Sequence, residues 1–359
     1  MSPEVVIAGR RIGPDHPPYV ICELSGNHNG SLDRALSMID AAAATGCDAI
    51  KIQTYTPDTL TIACDAPDFR IEGGPWSGRT LHDLYAEAHT PYEWHTALFE
   101  RARRLGVTLF STPFDETAVD LLESFDAPAY KIASFEAVDL ELTARVARTG
   151  KPMILSTGLA NLEEIGRAVD TARSHGCDQL ALLHCISAYP APIDQAHVRT
   201  VPDLAARFGC VGGLSDHTLG TAAAVTAVAL GGAVIEKHFT LARADGGPDA
   251  AFSLEPDEFT RLVRDCKDAW AALGQAGYDL KGAERGSVVF RRSLYVVADV
   301  AAGEPLTRAN VRAIRPGYGL EPRLLPDVLG RPALRPLKRG EPLAWDMVEC
   351  SPELKEARA

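Results

Sequence analysis

Apolar residues along the chain fall into two alternating patterns. Short runs rich in branched and aromatic residues occur at YVICEL (19–24), AIKIQT (49–54), VTLFSTP (107–113), AYKIAS (129–134), MILSTG (153–158), LALLHC (180–185), CVGGLSD (210–216) and VIEKHFT (234–240). Such runs, bounded by turn residues, predict buried strands. Each is followed by an amphipathic stretch, for example LDRALSMIDAAAATG after the first and NLEEIGRAVDTARSHG after the fifth. Both stretches end in Gly, the usual helix stop, and Asn161 with Glu164 has the spacing of a capping box. Strands alternating with helices predict parallel βαβ units, and eight of them in about 250 residues is the count of a (β/α)₈ TIM barrel. An open doubly wound sheet is the competitor, weakened because no G-x-G-x-x-G follows the first strand.

Two segments stand outside this rhythm. VVIAGRRIG (5–13) predicts a hairpin that plugs the barrel bottom, and residues 55–90, with GGPWSGRT, form a long excursion after the second strand. Long loops of this kind on barrels usually carry function. From residue 277 the helical periodicity is lost, and short strands punctuated by Gly and Pro follow. The predicted organisation is a barrel with its hairpin over 1–276, a linker over 277–289, a small, mostly β domain over 290–350 and a tail over 351–359.

Composition narrows the class. Of 359 residues, 46% are hydrophobic and 23% charged, which excludes disorder and collagen-like repeats. No run approaches the ~20 apolar residues of a membrane span, and the start lacks the apolar core of a secretory signal. The net charge of −12 argues against nucleic-acid or anionic-membrane partners. Charge is uneven: residues 285–359 hold 13 Lys+Arg against 9 Asp+Glu. A mildly basic tail on a strongly acidic body predicts two units, with the tail lying over something anionic or simply solvated. The eight cysteines form no C-x-x-C pair, the usage of a reduced, cytoplasmic protein. Cys185, in LLHCIS, reads as a small core residue ahead of a catalytic thiol.

On a barrel, residues at the C-terminal ends of the strands surround one site. Here they include Glu23, Ser25, Lys51, Gln53, Ser111, Thr112, Lys131, Ser134, Glu136, Ser156, His184, Ser187, Tyr189, Ser215, Asp216, His217, Glu236, Lys237 and His238. Polar groups gathered in a cleft cost desolvation unless a ligand satisfies them. Three of only eight lysines, Lys51, Lys131 and Lys237, lie within apolar strand runs. By strand alternation Lys51 shares a face with Gln53, and Glu236 with His238, so Lys237 points the other way or sits at the rim. Lys51 and Lys131, with Ser111, Thr112, Ser134 and Ser156, make a cradle for a phosphate or carboxylate; a Schiff-base lysine is the alternative. His217 and His238 end adjacent strands and suit a divalent metal, with Glu23, Glu236 and Asp216 nearby. Two separately hydrogen-bonded histidines are the plainer alternative.

The motifs CELSGNHNGSLDRA, KIQTYTPDTLT, FSTPFD, YKIASFE, STGLA, LHCISAYPAP, GLSDHTLG and EKHFT, in this order, resemble the sialic acid synthase family (N-acetylneuraminate synthase-like), and most closely its pseudaminate branch. RRSLYVVADVAAGEPLTRANVRAIRPGYGL resembles that family's C-terminal antifreeze-protein-like (SAF, β-clip) domain. The resemblance implies a metal-dependent condensation of phosphoenolpyruvate with the open-chain aldehyde of an N-acetylated amino sugar. Manganese is the metal implied first, with magnesium or cobalt as alternatives. It also implies a domain-swapped homodimer in which the SAF domain of one subunit closes the barrel of the other.

Roles are carried over residue by residue. Lys51, Thr112, Lys131, Ser134, Ser156, Ser187 and Ser215 would hold phosphoenolpyruvate. His217 and His238 would bind the metal. Glu23, Glu136, Tyr189, Asp249 and Arg315 would contact the sugar, with Glu23, Lys131, Glu136 and His238 as the catalytic set. No Schiff base is then needed, because phosphoenolpyruvate is already an enol derivative. Ser187 stands where neuraminate synthases carry Asn, and ELSGNHNG replaces their EIGxNHNG. The implied acceptor is 2,4-diacetamido-2,4,6-trideoxy-L-altrose, with an N-acetylmannosamine-type sugar of the neuraminate and legionaminate synthases as the alternative. Tyr55, Trp76 and Tyr85 are candidates to line an apolar pocket for it.

Overall fold

A computed structural model describes residues 2–74 and 76–349. It splits into two compact units, one through Gly274 and one from Gln275. Cys350 and the predicted tail 351–359 lie outside the described residues.

The first unit opens with an antiparallel hairpin, β1 (Val5–Ile7) and β2 (Arg10–Ile12). Eight parallel strands follow: β3 (Tyr19–Glu23), β4 (Ala49–Thr54), β5 (Thr108–Pro113), β6 (Tyr130–Ile132), β7 (Met153–Ser156), β8 (Leu180–Cys185), β9 (Val211–Asp216) and β10 (Val234–His238). They close in chain order, with β10 pairing both β9 and β3. This is the predicted TIM barrel, and each predicted run contains one strand.

Strand alternation sorts side chains into two cores. Tyr19, Ile21, Ala49, Phe110, Ile154, Leu183 and Val234 fill the barrel interior, and Val5, Ile7 and Ile12 of the hairpin pack against them from below. Gly213 of β9 sits in this crowd; a Cβ there would lie 2.3 Å from the Val234 carbonyl oxygen. The outward residues, such as Val20, Cys22, Ile50, Ile52, Leu155 and Leu182, pack under the surrounding helices. The helices carry their predicted caps. In Leu162–Ser174 the Asn161 side chain accepts the amides of Glu163 and Glu164 at 3.0 Å, and the Glu164 carboxylate accepts the Asn161 amide at 2.8 Å. The seven described cysteines are free, and Cys64 alone of them is not buried.

The second unit pairs β11 (Ser293–Val296) with β12 (Val311–Ile314) around Leu294, Val296, Leu306, Val311, Val328, Leu337 and Leu343. A 3₁₀ segment, Gly282–Phe290, occupies most of the stretch expected to be a plain linker.

Candidate active site

The C-terminal ends of the barrel strands open into a cavity of about 400 Å³. Its floor is a layer of inward side chains above the apolar plug. Register places His238 beside Glu23, and Glu23 beside Lys51. The Lys51 ammonium lies 2.7 Å from the Glu23 carboxylate and 3.5 Å from that of Glu236, and donates to Thr112 Oγ1 at 3.0 Å. Lys131 is less well partnered: it donates to the Ile132 carbonyl at 3.1 Å and stands 3.8 Å from Glu236. Both lysines are buried. Burial opposes the charge on each. In Lys51 the attraction of Glu23 and Glu236 prevails and raises its pKa. In Lys131 burial prevails and lowers it.

Hydroxyls surround this floor. Ser156 Oγ is buried without a partner, and Ser215 Oγ donates to Glu236 at 3.4 Å. Ser134 Oγ accepts the Gly158 amide at 3.2 Å. Gly158 has no room for a side chain, since a Cβ would lie 2.3 Å from Ser187 Oγ and 2.8 Å from Ser134 Oγ. Ser187 therefore joins the same hydroxyl cluster without lining the cavity itself. Thr112 also stays behind the surface, as a partner of Lys51.

Four carboxyl groups face the space. Burial lifts Glu136 to about 7 and Asp249 to about 6, the latter against its hydrogen bond from Ser25 Oγ. Burial also raises Glu23, with Lys51 opposing. Burial resists ionisation of Glu236 too, yet Lys131 and Lys51 hold it below the ordinary carboxylate range. Gln53 Nε2 donates to Glu23 Oε1 at 2.9 Å and to Ser25 Oγ at 3.2 Å, fixing the carboxylate from the next strand.

The rings of His217 and His238 lie 5.3 Å apart. His217 Nδ1 donates to the Ile186 carbonyl at 2.9 Å, so in the neutral ring the lone pair sits on Nε2. His238 Nδ1 is buried without a hydrogen-bond partner, 3.8 Å from the Asp249 carboxylate. Burial, reinforced by His217 and the nearby lysines, drives His238 far toward the neutral form. Burial opposes the charge on His217, but Cys185, with Sγ 3.7 Å from Nδ1, and the Ile186 carbonyl raise its pKa. Once Nε2 of His217 gives up its proton, the two imidazoles offer lone pairs that fit a divalent cation. Among the described residues no set of three or more His, Cys, Asp or Glu forms a closed cage. Two protein ligands leave positions for substrate oxygens and water.

The opposite wall is apolar. Leu60, Ile71, Leu81 and Leu84 come from the 55–90 excursion, as do Tyr55, Trp76 and Tyr85, and Phe114 joins them from the end of β5. Trp76 Nε1 donates to the Pro248 carbonyl at 2.8 Å, and its ring lies 5.6 Å from that of Tyr189.

The barrel thus gathers Glu23, Lys51, Lys131, Ser134, Glu136, Ser156, Tyr189, Ser215, His217, His238 and Asp249 around one cavity. Arg315 belongs to the second unit, exposed one residue beyond β12. Three expectations change. Ser111 faces outward, bonded to Thr54 Oγ1 at 2.6 Å and the Ile52 carbonyl at 3.0 Å, because it has the opposite strand parity to Thr112. His184 likewise faces out, to the Ala196 carbonyl at 2.8 Å. Asp216 turns away from the histidines and pairs with Lys237 at 2.7 Å. The expectation that Lys237 points away from Glu236 and His238 is met. Glu236, expected only as a carboxylate near the histidines, bridges the two lysines; its place between Lys131 and Lys51 is a cross-barrel distance that no local pattern records.

The NeuB family profile matches residues 38–278, and a SAF domain profile matches 291–349. Pseudaminic acid synthase of Campylobacter jejuni subsp. jejuni serotype O:2 is 44% identical over 92% of this chain and 96% of its own length. Pseudaminic acid synthase of Helicobacter pylori is 42% identical over 93% of this chain and 99% of its own. The solved N-acetylneuraminic acid synthetase of Leptospira borgpetersenii is 30% identical, with a TM-score of 0.72 over 80% of this chain and 96% of that one. With its barrel matched by the family profile and these relatives aligned over most of its length, the chain belongs to the NeuB family.

Proposed function

We propose that this chain is a synthase that condenses phosphoenolpyruvate with 2,4-diacetamido-2,4,6-trideoxy-L-altrose and water, giving pseudaminic acid and phosphate. The observation that carries the reading is the division of one cavity. A floor of two buried lysines and several hydroxyls suits a small dianion, and an apolar wall suits a sugar lacking its 6-hydroxyl. The pseudaminic acid synthases among its relatives support the same product.

In this reading Lys131, Ser134, Ser156 and Ser215 contact the phosphate and carboxylate of phosphoenolpyruvate, Lys51 adds its charge from the floor, and Thr112 and Ser187 brace the cluster from behind. Tyr189, Asp249 and Glu136 seat the open-chain sugar. The Glu136 carboxyl, kept protonated to about pH 7 by burial, donates to a sugar oxygen. C3 of phosphoenolpyruvate attacks the aldehyde carbon, and the aldehyde oxygen takes the Glu136 proton to become a hydroxyl. Water adds at C2 and gives a proton to Glu23, which Gln53 and Lys51 hold in place. The C–O bond to phosphate then breaks while the C2 hydroxyl gives its proton to the departing phosphate, leaving the 2-keto acid. His217 and His238 would hold the divalent cation, manganese first and magnesium or cobalt otherwise, which supplies Lewis-acid polarisation of the aldehyde.

The reading includes a homodimer in which Arg315 of the partner subunit reaches the acetamido group. It is supported by exposed apolar side chains on the loops beyond β6 to β9, namely Phe135, Val138, Leu159, Ile193 and Leu219. It places the enzyme in the cytoplasm; among the described residues no helix is long and apolar enough to cross a membrane. The test is phosphate release with each acceptor, with and without chelator. Turnover with the trideoxy-altrose, lost on chelation and regained with manganese, is expected. Turnover with N-acetylmannosamine alone would replace the proposed acceptor by the alternative.

A further inference from the structure

Behind His217 and His238, on the far side of the barrel wall, lies a buried ion pair. Lys237 pairs with Asp216 in the parallel register of β10 and β9, and both side chains face the helix layer. Each is only 1% exposed. The Lys237 ammonium donates to Asp216 Oδ2 at 2.7 Å and also to the Thr218 carbonyl. The other Asp216 oxygen accepts the Thr218 amide at 2.9 Å and its hydroxyl at 2.8 Å. One ammonium, on the residue before His238, thus grips the residue before His217 and the residue after it.

We propose that the buried Lys237–Asp216 pair is a positioning device that holds His217 and His238 at metal-binding separation, its anchor being the ammonium bonded on both sides of His217. The inference rests on the reading of the two histidines as a metal pair. Stability alone does not call for such a pair, since a buried ion pair is often matched or bettered by apolar residues of similar volume. Apolar residues have no donor for the Thr218 carbonyl, so β9 would lose its anchor just past His217. Partners that orient metal ligands from behind typically change metal affinity by about 10- to 100-fold when removed. Lys237 and Asp216 make no hydrogen bond to either histidine ring; apart from the Lys237 charge, which disfavours the protonated form of His238, their hold on the two rings runs through the backbone.

The experiment is a manganese titration of the full, chelator-stripped chain, followed by the electron paramagnetic resonance of the free ion. The double variant Asp216→Asn, Lys237→Met leaves no unpaired buried charge. It is expected to unfold cooperatively like the parent and to bind manganese at least about tenfold more weakly, with the KM for phosphoenolpyruvate within about twofold. A folded double variant with parental manganese affinity would overturn the proposal. So would an equal rise in both constants, the mark of a general distortion. Should the double variant not fold, Asp216→Asn alone retains side-chain volume and acceptor for Thr218; about threefold weaker binding is expected, and unchanged affinity overturns the idea. A parent chain that binds no manganese, or binds it equally well as His217→Ala, sinks the metal reading itself and is told apart by that control.

Discussion

Lys51 and Lys131 are both buried strand lysines, yet their surroundings predict opposite consequences for removing them. Lys51 is held by Glu23 at 2.7 Å, Glu236 at 3.5 Å and Thr112 at 3.0 Å. Lys131 has a backbone carbonyl at 3.1 Å and Glu236 only at 3.8 Å. An ammonium has three hydrogens to give. Those of Lys51 are spent within the fold, and Lys131 retains capacity for a ligand. Lys51→Met leaves Glu23 without its close counter-charge, and breaking a buried pair in this way costs about 3–5 kcal/mol of stability. Lys131→Met removes an under-paired ammonium and leaves Lys51 near Glu236, so stability should change by less than about 1 kcal/mol. Its loss should appear in substrate binding. A hydrogen bond to a charged group contributes about 1.5–3 kcal/mol, which is roughly a 10- to 150-fold rise in the KM for phosphoenolpyruvate. The assays are urea denaturation at neutral pH and initial rates of phosphate release. If Lys131→Met kept the parental KM, or lost as much stability as Lys51→Met, this division of labour would be wrong.

Two further outcomes follow from the same cavity. Trp76→Ala removes the bond to the Pro248 carbonyl and the ring beside Tyr189, and should raise the KM for the acceptor about tenfold, the scale of a lost aromatic contact of about 1–1.5 kcal/mol. Steady-state kinetics with each substrate varied would show it, with phosphoenolpyruvate unaffected. Burial lifts Glu136 to about 7 from an ordinary 4.5, so the folded protein binds this proton more tightly than the unfolded chain. Its contribution is complete below pH 4.5 and is lost as pH rises through 7. Glu136→Gln, neutral at every pH, should therefore leave stability unchanged near pH 4.5 and raise it by up to about 3 kcal/mol at pH 8. A thermal-melt difference that does not grow with pH would contradict this.

The barrel was legible because each of its eight strands is an apolar run framed by turn residues, and because parallel strands need intervening helices. Lys51 and Lys131 stood out for a related reason: a lysine in such a run demands a partner. What the chain does not display is parity. Ser111 and Thr112 are neighbours at the same strand end, and only the barrel's inside decides which one faces Lys51. The same ambiguity put Asp216 with the histidines, although it faces the helices one residue before His217. Distances across the barrel are equally hidden. Glu236 was visible as a strand-end carboxylate, but its position between two lysines depends on closure of β10 against β3. Of the apolar wall, the aromatics Tyr55, Trp76 and Tyr85 were legible, but its aliphatic part was visible only as a long excursion, since Leu60, Ile71, Leu81 and Leu84 have no period that points at a ligand.

The charges of the cavity explain why imidazoles would suit the proposed metal pair. Lys51 and Lys131 are balanced by Glu23 and Glu236 before any substrate arrives. Glu136 and Asp249, lifted to about 7 and about 6, bring only partial charge near neutral pH. Phosphoenolpyruvate brings about two to three negative charges, given a second phosphate pKa near 6. Burying that excess without compensation would be costly. Imidazoles, unlike carboxylates, add no negative charge of their own, so His217 and His238 would leave the full charge of a bound divalent cation to the substrate. Carboxylates in their place would bind the cation more tightly and cancel the charge the substrate needs. The acidic surface of this chain and its affinity for an anion are therefore compatible, because the balance is struck within a few ångströms of the strand ends.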